Sequence, residues 1–341
     1  MKLNATASTA PARGLADLAA GLERAGCQGL HFAELGHDPF IGAAAAAAGT
    51  TRMQLGTGIA LAFPRSPATL AYTAWGLNTL TEGRFVLGLG TQIKAHIERR
   101  FGMTWSEPVK RMRETVLAIR AVWQAWQTGG PLAFDGEIYK LSLMPPAFRP
   151  EPAPFAPPPI YLAAVGPHMA EMAGEVADGL FVHAFATPAY IGEVLLPAVE
   201  RGLRKSGRDR ADFQLVYSAF IADADGPGGL DAALAEARNS VAFYSSTPDY
   251  LGVLDQHGLG GLQPRLRQLT REGAWDKMAA EIGDEVLDLF CVSGKPEELA
   301  AGLAKRWGSL VDQISLPVDY WTRHQGDPAW ARAASRLRGE G

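Results

Sequence analysis

Residues 160–168 read IYLAAVGPH, and this stretch decides the fold prediction. The run from Ile160 to Ala164 is apolar on both faces, which is typical of a strand buried on both sides in a parallel sheet. Gly166 then allows a tight turn, and Pro167 begins a helix, because proline lacks the N–H group that a first helical turn leaves unpaired. The stretch therefore predicts a strand, a turn and a helix, which is the repeating unit of an α/β fold.

Outward from this unit, seven more short apolar runs bounded by glycine or proline have the same character. They are Lys2–Ala7, Gly29–Glu34, Met53–Ile59, Phe85–Gly90, Gly179–Ala184, Phe213–Ala222 and Val311–Pro317. Helical patterns lie between them, and three begin with a capping hydroxyl followed by proline, at Ser66-Pro67, Thr187-Pro188 and Thr247-Pro248. Strands that alternate with helices in this way predict a single α/β barrel, the (β/α)8 TIM barrel, with a doubly wound open sheet as the alternative.

Two segments, about 128–159 and 225–286, are longer than the loops of a plain barrel. The first is rich in proline and contains a predicted hairpin around Phe134–Glu137, and the second is mostly helical in pattern. We predict that both are insertions at the C-terminal rim of one domain that covers residues 1–320. The polar tail over residues 321–341 is predicted to be peripheral.

The composition restricts the classes of function. Lys and Arg total 32 and Asp and Glu total 36, so the net charge of −4 disfavours nucleic-acid binding through a basic face. The longest apolar stretch, Ile41–Ala48, is far too short to span a membrane, and no signal peptide precedes the first strand. Two cysteines, Cys27 and Cys291, are too few for a disulfide framework. We therefore expect a cytoplasmic protein without nucleic-acid or membrane partners.

The active site of such a barrel lies at the carboxyl ends of its strands. The candidate residues at those ends are Glu34, His37, Asp38, Gly58, Ile59, Thr91, Gln92, His96, Val165, Gly166, His183 and Tyr217. Gly166 at the start of a helix predicts one of two structures. It is either an anion or phosphate cradle made by exposed N–H groups, or a plain turn that needs a positive φ.

Two further interpretations stay open. The first is a metal site formed by His37, Asp38, His96 and His183. Their spacing in the sequence is not that of a known metal motif, so the site would exist only if the fold brought the four side chains together. The second concerns Glu34, whose carboxylate is costly to bury unless it is paired. Glu34 is therefore either a catalytic or ligand-orienting group, or the partner of an Arg or Lys from a neighbouring strand.

Several segments, in their order along the chain, resemble the luciferase-like oxidoreductases. They are residues 29–34 (GLHFAE), 37–40 (HDPF), 50–59 (TTRMQLGTGI), 83–91 (GRFVLGLGT), 163–167 (AAVGP) and 173–179 (AGEVADG). The ordered combination covers roughly Met1 to Pro317 and is specific for the luciferase-like monooxygenase superfamily. Within that superfamily the chain is most similar to the branch of oxidoreductases that use coenzyme F420, a deazaflavin.

The resemblance implies a (β/α)8 barrel, as in bacterial luciferase, that binds a flavin or deazaflavin at its C-terminal mouth. It implies a non-prolyl cis peptide bond between Gly58 and Ile59, behind the ring. Residues implied to lie near the ring or its side chain are Thr91 and Gln92, and those implied to surround the phosphate are Val165 and Gly166. Ala164 is also predicted to bind the cofactor. A homodimer is also implied.

One part of the family pattern is missing. The F420-dependent sugar-phosphate dehydrogenases of the superfamily carry an Asp-His pair where this chain has His37-Asp38, and an active-site Glu where it has Ile93. The roles of those residues, and the sugar-phosphate substrate, are therefore not transferred.

We predict an oxidoreductase that transfers hydride between bound F420 and a small organic substrate. His37 is the predicted general acid or base, because the unperturbed pKa of histidine, about 6.5, suits proton transfer near neutrality. Glu34 or Asp38 would orient it. The alternatives are an FMN-dependent monooxygenase that uses O2 and a separate flavin reductase, a metal-dependent hydrolase, and a non-catalytic flavin-binding protein.

Overall fold

Parallel strands close into a ring in the computed structural model, which describes residues 1–8 and 13–340. Numbered along the chain, the strands are β1 Lys2–Ala7, β2 Gly29–Phe32, β3 Gln54–Thr57, β4 Ala60–Leu61, β5 Phe85–Gly90, β6 Phe134–Asp135, β7 Lys140–Leu141, β8 Ile160–Ala164, β9 Gly179–Val182, β10 Gln214–Ser218, β11 Phe220–Asp223, β12 Cys291–Gly294 and β13 Gln313–Pro317. The ring follows the order β1, β2, β3, β5, β8, β9, β10 and β13.

The ring is closed by two pairings. Strand β13 pairs with β1, and Leu55 and Gly56 of β3 pair with Phe85 and Val86 of β5. An open, doubly wound sheet would leave two unpaired edges instead. The predicted TIM barrel is therefore confirmed, and the doubly wound alternative is wrong.

Helices surround the barrel and cap its strands. They are α1 Leu15–Arg24, α2 Pro39–Ala47, α3 Pro67–Leu80, α4 Lys94–Arg99, α5 Pro108–Thr128, α6 Pro167–Val176, α7 Pro188–Tyr190, α8 Leu196–Ser206, α9 Gly229–Ser245, α10 Leu251–Asp255, α11 Leu262–Glu272, α12 Trp275–Met278, α13 Asp284–Phe290, α14 Pro296–Trp307, α15 Val318–Arg323 and α16 Pro328–Arg338. A π-helical turn, Ile191–Leu195, joins α7 to α8. No helix formed by the described residues is long and apolar enough to cross a membrane.

Two of the three predicted caps form as expected. The Ser66 hydroxyl accepts the N–H of Thr69 at 3.1 Å, and the Thr187 hydroxyl accepts the N–H of Tyr190 at 3.2 Å. Thr247 precedes only a short 3₁₀ turn, and its side chain makes no cap bond there. A hydroxyl followed by proline thus predicts a helix start, while the length of the helix depends on what it packs against.

Two predicted strands are interrupted in the structure, and three others, predicted to begin at Gly29, Gly179 and Val311, are two residues shorter than predicted. The run from Phe213 to Ala222 divides at Ala219, because β10 stays in the barrel while β11 leaves it to pair with β12. The run from Met53 to Ile59 ends as a strand at Thr57, and the peptide bond between Gly58 and Ile59 is cis, as the resemblance implied. Apolar periodicity is continuous across both breaks, so it could not reveal them.

The two rim segments contain the predicted types of secondary structure. Residues 134–141 form the antiparallel hairpin of β6 and β7, and residues 225–286 are mainly helical. The boundaries drawn at residues 128, 159, 225, 286 and 320 stay predictions.

The tail after Tyr320 is packed against the barrel up to residue 340, so the expectation of a peripheral tail is corrected. Trp321 and Trp330 are 0% and 2% exposed, and the Trp321 indole N–H donates to the Asn4 carbonyl of β1 at 3.0 Å. The apolar side of α16 is formed by residues at helical spacing, Trp330, Ala333, Ala334 and Leu337, among polar neighbours. Overall polarity of the segment concealed this stripe.

Candidate functional site

The predicted site residues come together because their strands are neighbours in the ring. Glu34, Gly58, Thr91 and Val165 follow β2, β3, β5 and β8, which pair consecutively, and His183 follows the next strand, β9. The carboxyl ends of these parallel strands lie on one side of the barrel mouth.

The floor of this part of the mouth is apolar. Ile59 and Ala163 are half-buried and rest on an interior cluster formed by Val86, Tyr161, Phe181 and Val216. Gly90 of β5 leaves room for Ile59, because a Cβ on Gly90 would lie 2.6 Å from the Ile59 Cδ1. The missing side chain is therefore what allows Ile59 to lie across the strand end.

Glu34 holds the segment that carries Ile59. Its N–H donates to the Ile59 carbonyl at 3.1 Å, and its carboxylate accepts the Leu61 N–H at 2.7 Å. The same carboxylate accepts two bonds from the Arg65 guanidinium, at 2.7 and 3.1 Å. Glu34 is thus bonded to both sides of Ala60, and its acceptor oxygens are occupied.

Arg65 also binds Asp38. The distance from Arg65 Nη2 to Asp38 Oδ2 is 2.8 Å, and Asp38 Oδ1 accepts the N–H of Phe40 at the start of α2. The pairing interpretation of Glu34 is therefore the one that forms, with a cation from the loop after β4 rather than from a neighbouring strand. Both carboxylates are occupied by structural contacts, and neither has a hydrogen bond to His37 among the described residues.

His37 is exposed at the ends of β1 and β2, where it lines a cleft with Ala7, Phe32, Pro39 and Ile41. Its ring is open to solvent and has no hydrogen-bond partner in the described part of the chain. The assignments of His37, Glu34 and Asp38 as catalytic residues stay predictions.

Gln92 has a strained backbone at the predicted ring site. Its φ is +60°, in the left-handed region that residues other than glycine rarely adopt, and its side-chain Oε1 accepts the N–H of Ile93 at 3.0 Å. Strained residues of this kind occur often at ligand sites. Thr91 and Gln92 are both half-buried at the strand end.

The turn at Gly166 leads directly into helix α6. Gly166 is the N-cap of α6 with a φ of −94°, so the positive φ that the plain-turn interpretation expected is not present. A Cβ at this position would meet no atom within 4 Å, and the first N–H groups of a helix have no partner within it. The Tyr190 hydroxyl donates to the Val165 carbonyl at 3.0 Å and holds the turn. Ala164 is buried below it.

His31 lies beneath Gly58 inside the barrel. It is 1% exposed, stands edge-on to Phe181 at 5.1 Å between ring centroids, and neither ring nitrogen has a hydrogen-bond partner among the described residues. Burial lowers the pKa of His31 to about 4, so the ring is neutral at pH 7.

The alternative metal site is not formed. The described residues contain no group of three or more His, Cys, Asp or Glu side chains that could hold a metal ion. Asp38 is paired with Arg65, and His183 Nδ1 accepts the N–H of Phe185 at 3.0 Å, so two of the four proposed ligands have other partners.

A comparison with known families places the chain. Residues 2–313 match the family model described as luciferase-like monooxygenase. The chain belongs to the luciferase-like monooxygenase family. This match confirms the resemblance drawn from residues 29–59, 83–91 and 163–179.

Two relatives with similar sequences have names that differ in what they say about activity. A protein of Mycobacterium tuberculosis without an assigned activity is 46% identical over 303 residues, 89% of each chain. A 5,10-methylenetetrahydromethanopterin reductase of Archaeoglobus fulgidus is 34% identical over 258 residues, 73% of this chain and 72% of the reductase. Among solved structures, the coenzyme F420-dependent tetrahydromethanopterin reductase of Methanopyrus kandleri has the same fold, with a TM-score of 0.75, 20% identity, and coverage of 100% of this chain and 98% of the reductase.

Sequence reasoning missed Arg65, which joins the two acidic residues after β2. The spacing of Glu34 and Asp38, four residues apart, was the available signal, because two carboxylates so close together need a cation when they are partly buried. It could not tell which cation, since Arg65 is 31 residues from Glu34 in the chain.

Proposed function

We propose that this luciferase-like protein is an oxidoreductase that transfers hydride between coenzyme F420 and a small organic substrate. The observation that carries the proposal is the pairing of an apolar floor at Ile59 with an open helix start at Gly166 on one arc of the mouth. A relative named as a methylenetetrahydromethanopterin reductase, 34% identical, supports a reductase. A solved structure named as F420-dependent supports the choice of cofactor.

The residues present suit a tricyclic ring with a phosphate-bearing tail. Ile59 offers a flat apolar surface to one face of the ring, with Thr91 and Gln92 beside it. The free space at Gly166 and the N–H groups of α6 would accept the phosphate. Ile59 and Gly166 lie at the same end of the barrel, which supports one cofactor reaching both.

The deazaflavin supplies a ring carbon that gives or takes hydride when it is bound. Ile59 would shield one face of the ring, and Glu34 and Arg65 hold residues 59–61 through their hydrogen bonds to Ile59 and Leu61. His37 stands in the open cleft, where it moves a proton to or from the substrate. Glu34 and Asp38 act as positioning residues in this proposal.

A binding titration with both cofactors tests the function. F420 and FMN are added separately to the purified chain, and the fluorescence of each is followed. Saturable binding of F420 supports the proposal. Binding of FMN without F420 would favour the second candidate, a monooxygenase that takes reduced flavin from a separate reductase and uses O2, which the family description favours.

Replacing Gly166 by aspartate is expected to weaken F420 binding at least tenfold. The new carboxylate would face the phosphate, while the open space and the negative φ of Gly166 allow the side chain without strain. Gly166→Asn is the matched control, with nearly the same shape and no charge, and should bind within about threefold of the parent. Equal affinity of the Asp and Asn variants would contradict the phosphate assignment.

We also propose that the protein is a homodimer joined through α2 and α3. Neither helix contains a charged residue, the two pack side by side, and Ile41, Tyr72 and Leu80 on them are 61%, 41% and 55% exposed. An uncharged exposed face of this kind is typical of an interface.

Light scattering during size-exclusion chromatography should give twice the chain mass, and Leu80→Glu should give a monomer. Thr322→Glu, exposed on α15, is the control, and a parent chain that elutes as a monomer would contradict the proposal.

A further inference from the structure

Three polar aromatic side chains form a cluster at the carboxyl end of β9. The ring of His183 lies 4.5 Å from that of Tyr244 and 4.9 Å from that of Tyr250, and the two tyrosine rings are 5.5 Å apart. His183 directly follows β9, whereas Tyr244 is on α9 and Tyr250 is in the 3₁₀ turn Pro248–Tyr250. The rim segment over residues 225–286 thus places two phenols against a strand end of the mouth.

The proton of His183 has a defined position. Because Nδ1 accepts the N–H of Phe185 at 3.0 Å, the proton of the neutral ring is on Nε2. Nε2 can then only donate, and among the described residues it has no acceptor. Neither phenol hydroxyl, of Tyr244 or Tyr250, has a hydrogen-bond partner among those residues.

The cluster is uncharged at neutral pH. Burial lowers the pKa of His183 to about 4, and burial raises the pKa of Tyr244 above its ordinary value. The pKa of Tyr250 is raised by burial, by Tyr244 and by the carboxylate of Asp249. No Lys or Arg forms an ion pair or hydrogen bond with these three side chains in the described part of the chain.

The cluster adjoins the predicted cofactor site. Ala164 of β8 pairs with Val182 of β9, so the next residues, Val165 and His183, are neighbours at the mouth. Tyr190, which precedes the π-helical turn, donates to the Val165 carbonyl from the same side. A molecule held at the cluster would therefore lie next to Val165, at the edge of the predicted cofactor site.

We infer that His183, Tyr244 and Tyr250 form the substrate site, and that it takes a neutral molecule with an apolar body and a hydrogen-bond-accepting oxygen. The inference rests on the proposed function for the identity of the reaction. His183 supplies a donor for that oxygen, because its free nitrogen only donates. A carboxylate or phosphate is excluded from the site, because burying an anion without a cation is costly and Asp249 would repel it.

Ligand-observed NMR with two probes tests this substrate class. The probes are cyclohexanone and 3-oxocyclohexane-1-carboxylate, which share a ring and a ketone and differ by one charge. Each is titrated into the purified chain, with and without F420. Cyclohexanone is expected to bind at least tenfold more tightly than the keto acid.

Variants assign the binding to the cluster. Tyr244→Phe and Tyr250→Phe each remove one hydroxyl and should weaken cyclohexanone binding by about 3- to 10-fold. The affinity for F420 should stay within twofold in both. Tyr72→Phe is the matched control, because the Tyr72 hydroxyl donates to the Phe148 carbonyl on the surface, and it should leave both affinities unchanged.

The outcomes separate this inference from the proposed function. Equal or tighter binding of the keto acid, no saturable binding of cyclohexanone, or no effect of the two Phe variants would each overturn the substrate site, even if F420 binds. Failure of F420 to bind would overturn the proposed function, and the titrations without cofactor would still decide the substrate site.

Discussion

Lowering the pH from 7 to 5 is expected to reduce the free energy of unfolding by about 4 kcal/mol through two histidines. Burial lowers the pKa of His31 and of His183 to about 4 in the folded chain, whereas an unfolded histidine titrates near 6.5. Below pH 6.5 the two histidines bind protons in the unfolded state, but they stay unprotonated in the folded state. The stability from each neutral ring is therefore fully present above pH 6.5 and is lost as the pH falls towards 4, by about 2 kcal/mol per ring at pH 5.

Urea unfolding at pH 7, 6 and 5 measures this loss. His31→Leu and His183→Leu should each remove a large and similar part of the pH dependence, and the double variant should remove most of it. The remainder comes from His257, whose pKa is also lowered by burial. Carboxylates contribute little in this window because their unfolded pKa values are near 4. His96→Leu, at an exposed position on α4, is the control and should follow the parent. A double variant with the full pH dependence of the parent would contradict the assignment.

Gly202→Ala is expected to destabilise the protein by roughly 3 kcal/mol or more. A Cβ on Gly202 of α8 would lie 1.9 Å from the Glu171 carbonyl of α6, and one on Gly174 of α6 would lie 2.3 Å from the Val199 carbonyl of α8. Both contacted atoms are backbone carbonyl oxygens, so neither can move away as the end of a flexible side chain could. The two helices would have to separate, and α6 carries the turn at Gly166 at its N-terminus.

Gly192→Ala separates this clash from the general effect of alanine in a helix. A Cβ on Gly192 would make only an ordinary contact, 3.6 Å from Leu310 Cδ2, so alanine should stabilise by about 0.5–1 kcal/mol. Urea unfolding of the parent and both variants gives the comparison. A Gly202→Ala protein as stable as the parent would show that α6 and α8 are not packed backbone to backbone.

Much of the fold followed from local patterns. The runs that became β1, β5 and β8 were predicted with their observed ends, because each is a short apolar segment between residues that break strands. Ser66 and Thr187 marked helix starts, because a capping hydroxyl has a local partner three residues away. The position of the candidate site at the strand ends then followed from the topology.

The parts that were wrong or missing depend on distant residues. Strand β11 was joined to β10 in the prediction because its actual partner, β12, pairs Phe220 with Cys291, far along the chain. The tail was predicted to be peripheral because its apolar stripe is narrow. In the structure, its residues Trp321 and Trp330 are buried. Neither the pairing of β11 with β12 nor the packing of the tail on the barrel can be recognised from the local spacing of apolar residues.

The amino-acid sequence by itself determined which segments become strands and helices, and which residues stand at the strand ends. Those properties depend on backbone preferences and burial over a few neighbouring positions. Only the tertiary structure decided that Glu34 and Asp38 share Arg65, that α6 and α8 touch through glycine, and that His183 meets Tyr244 and Tyr250. These contacts arise when the ring closes, because closure sets the distances between side chains that are far apart in the chain.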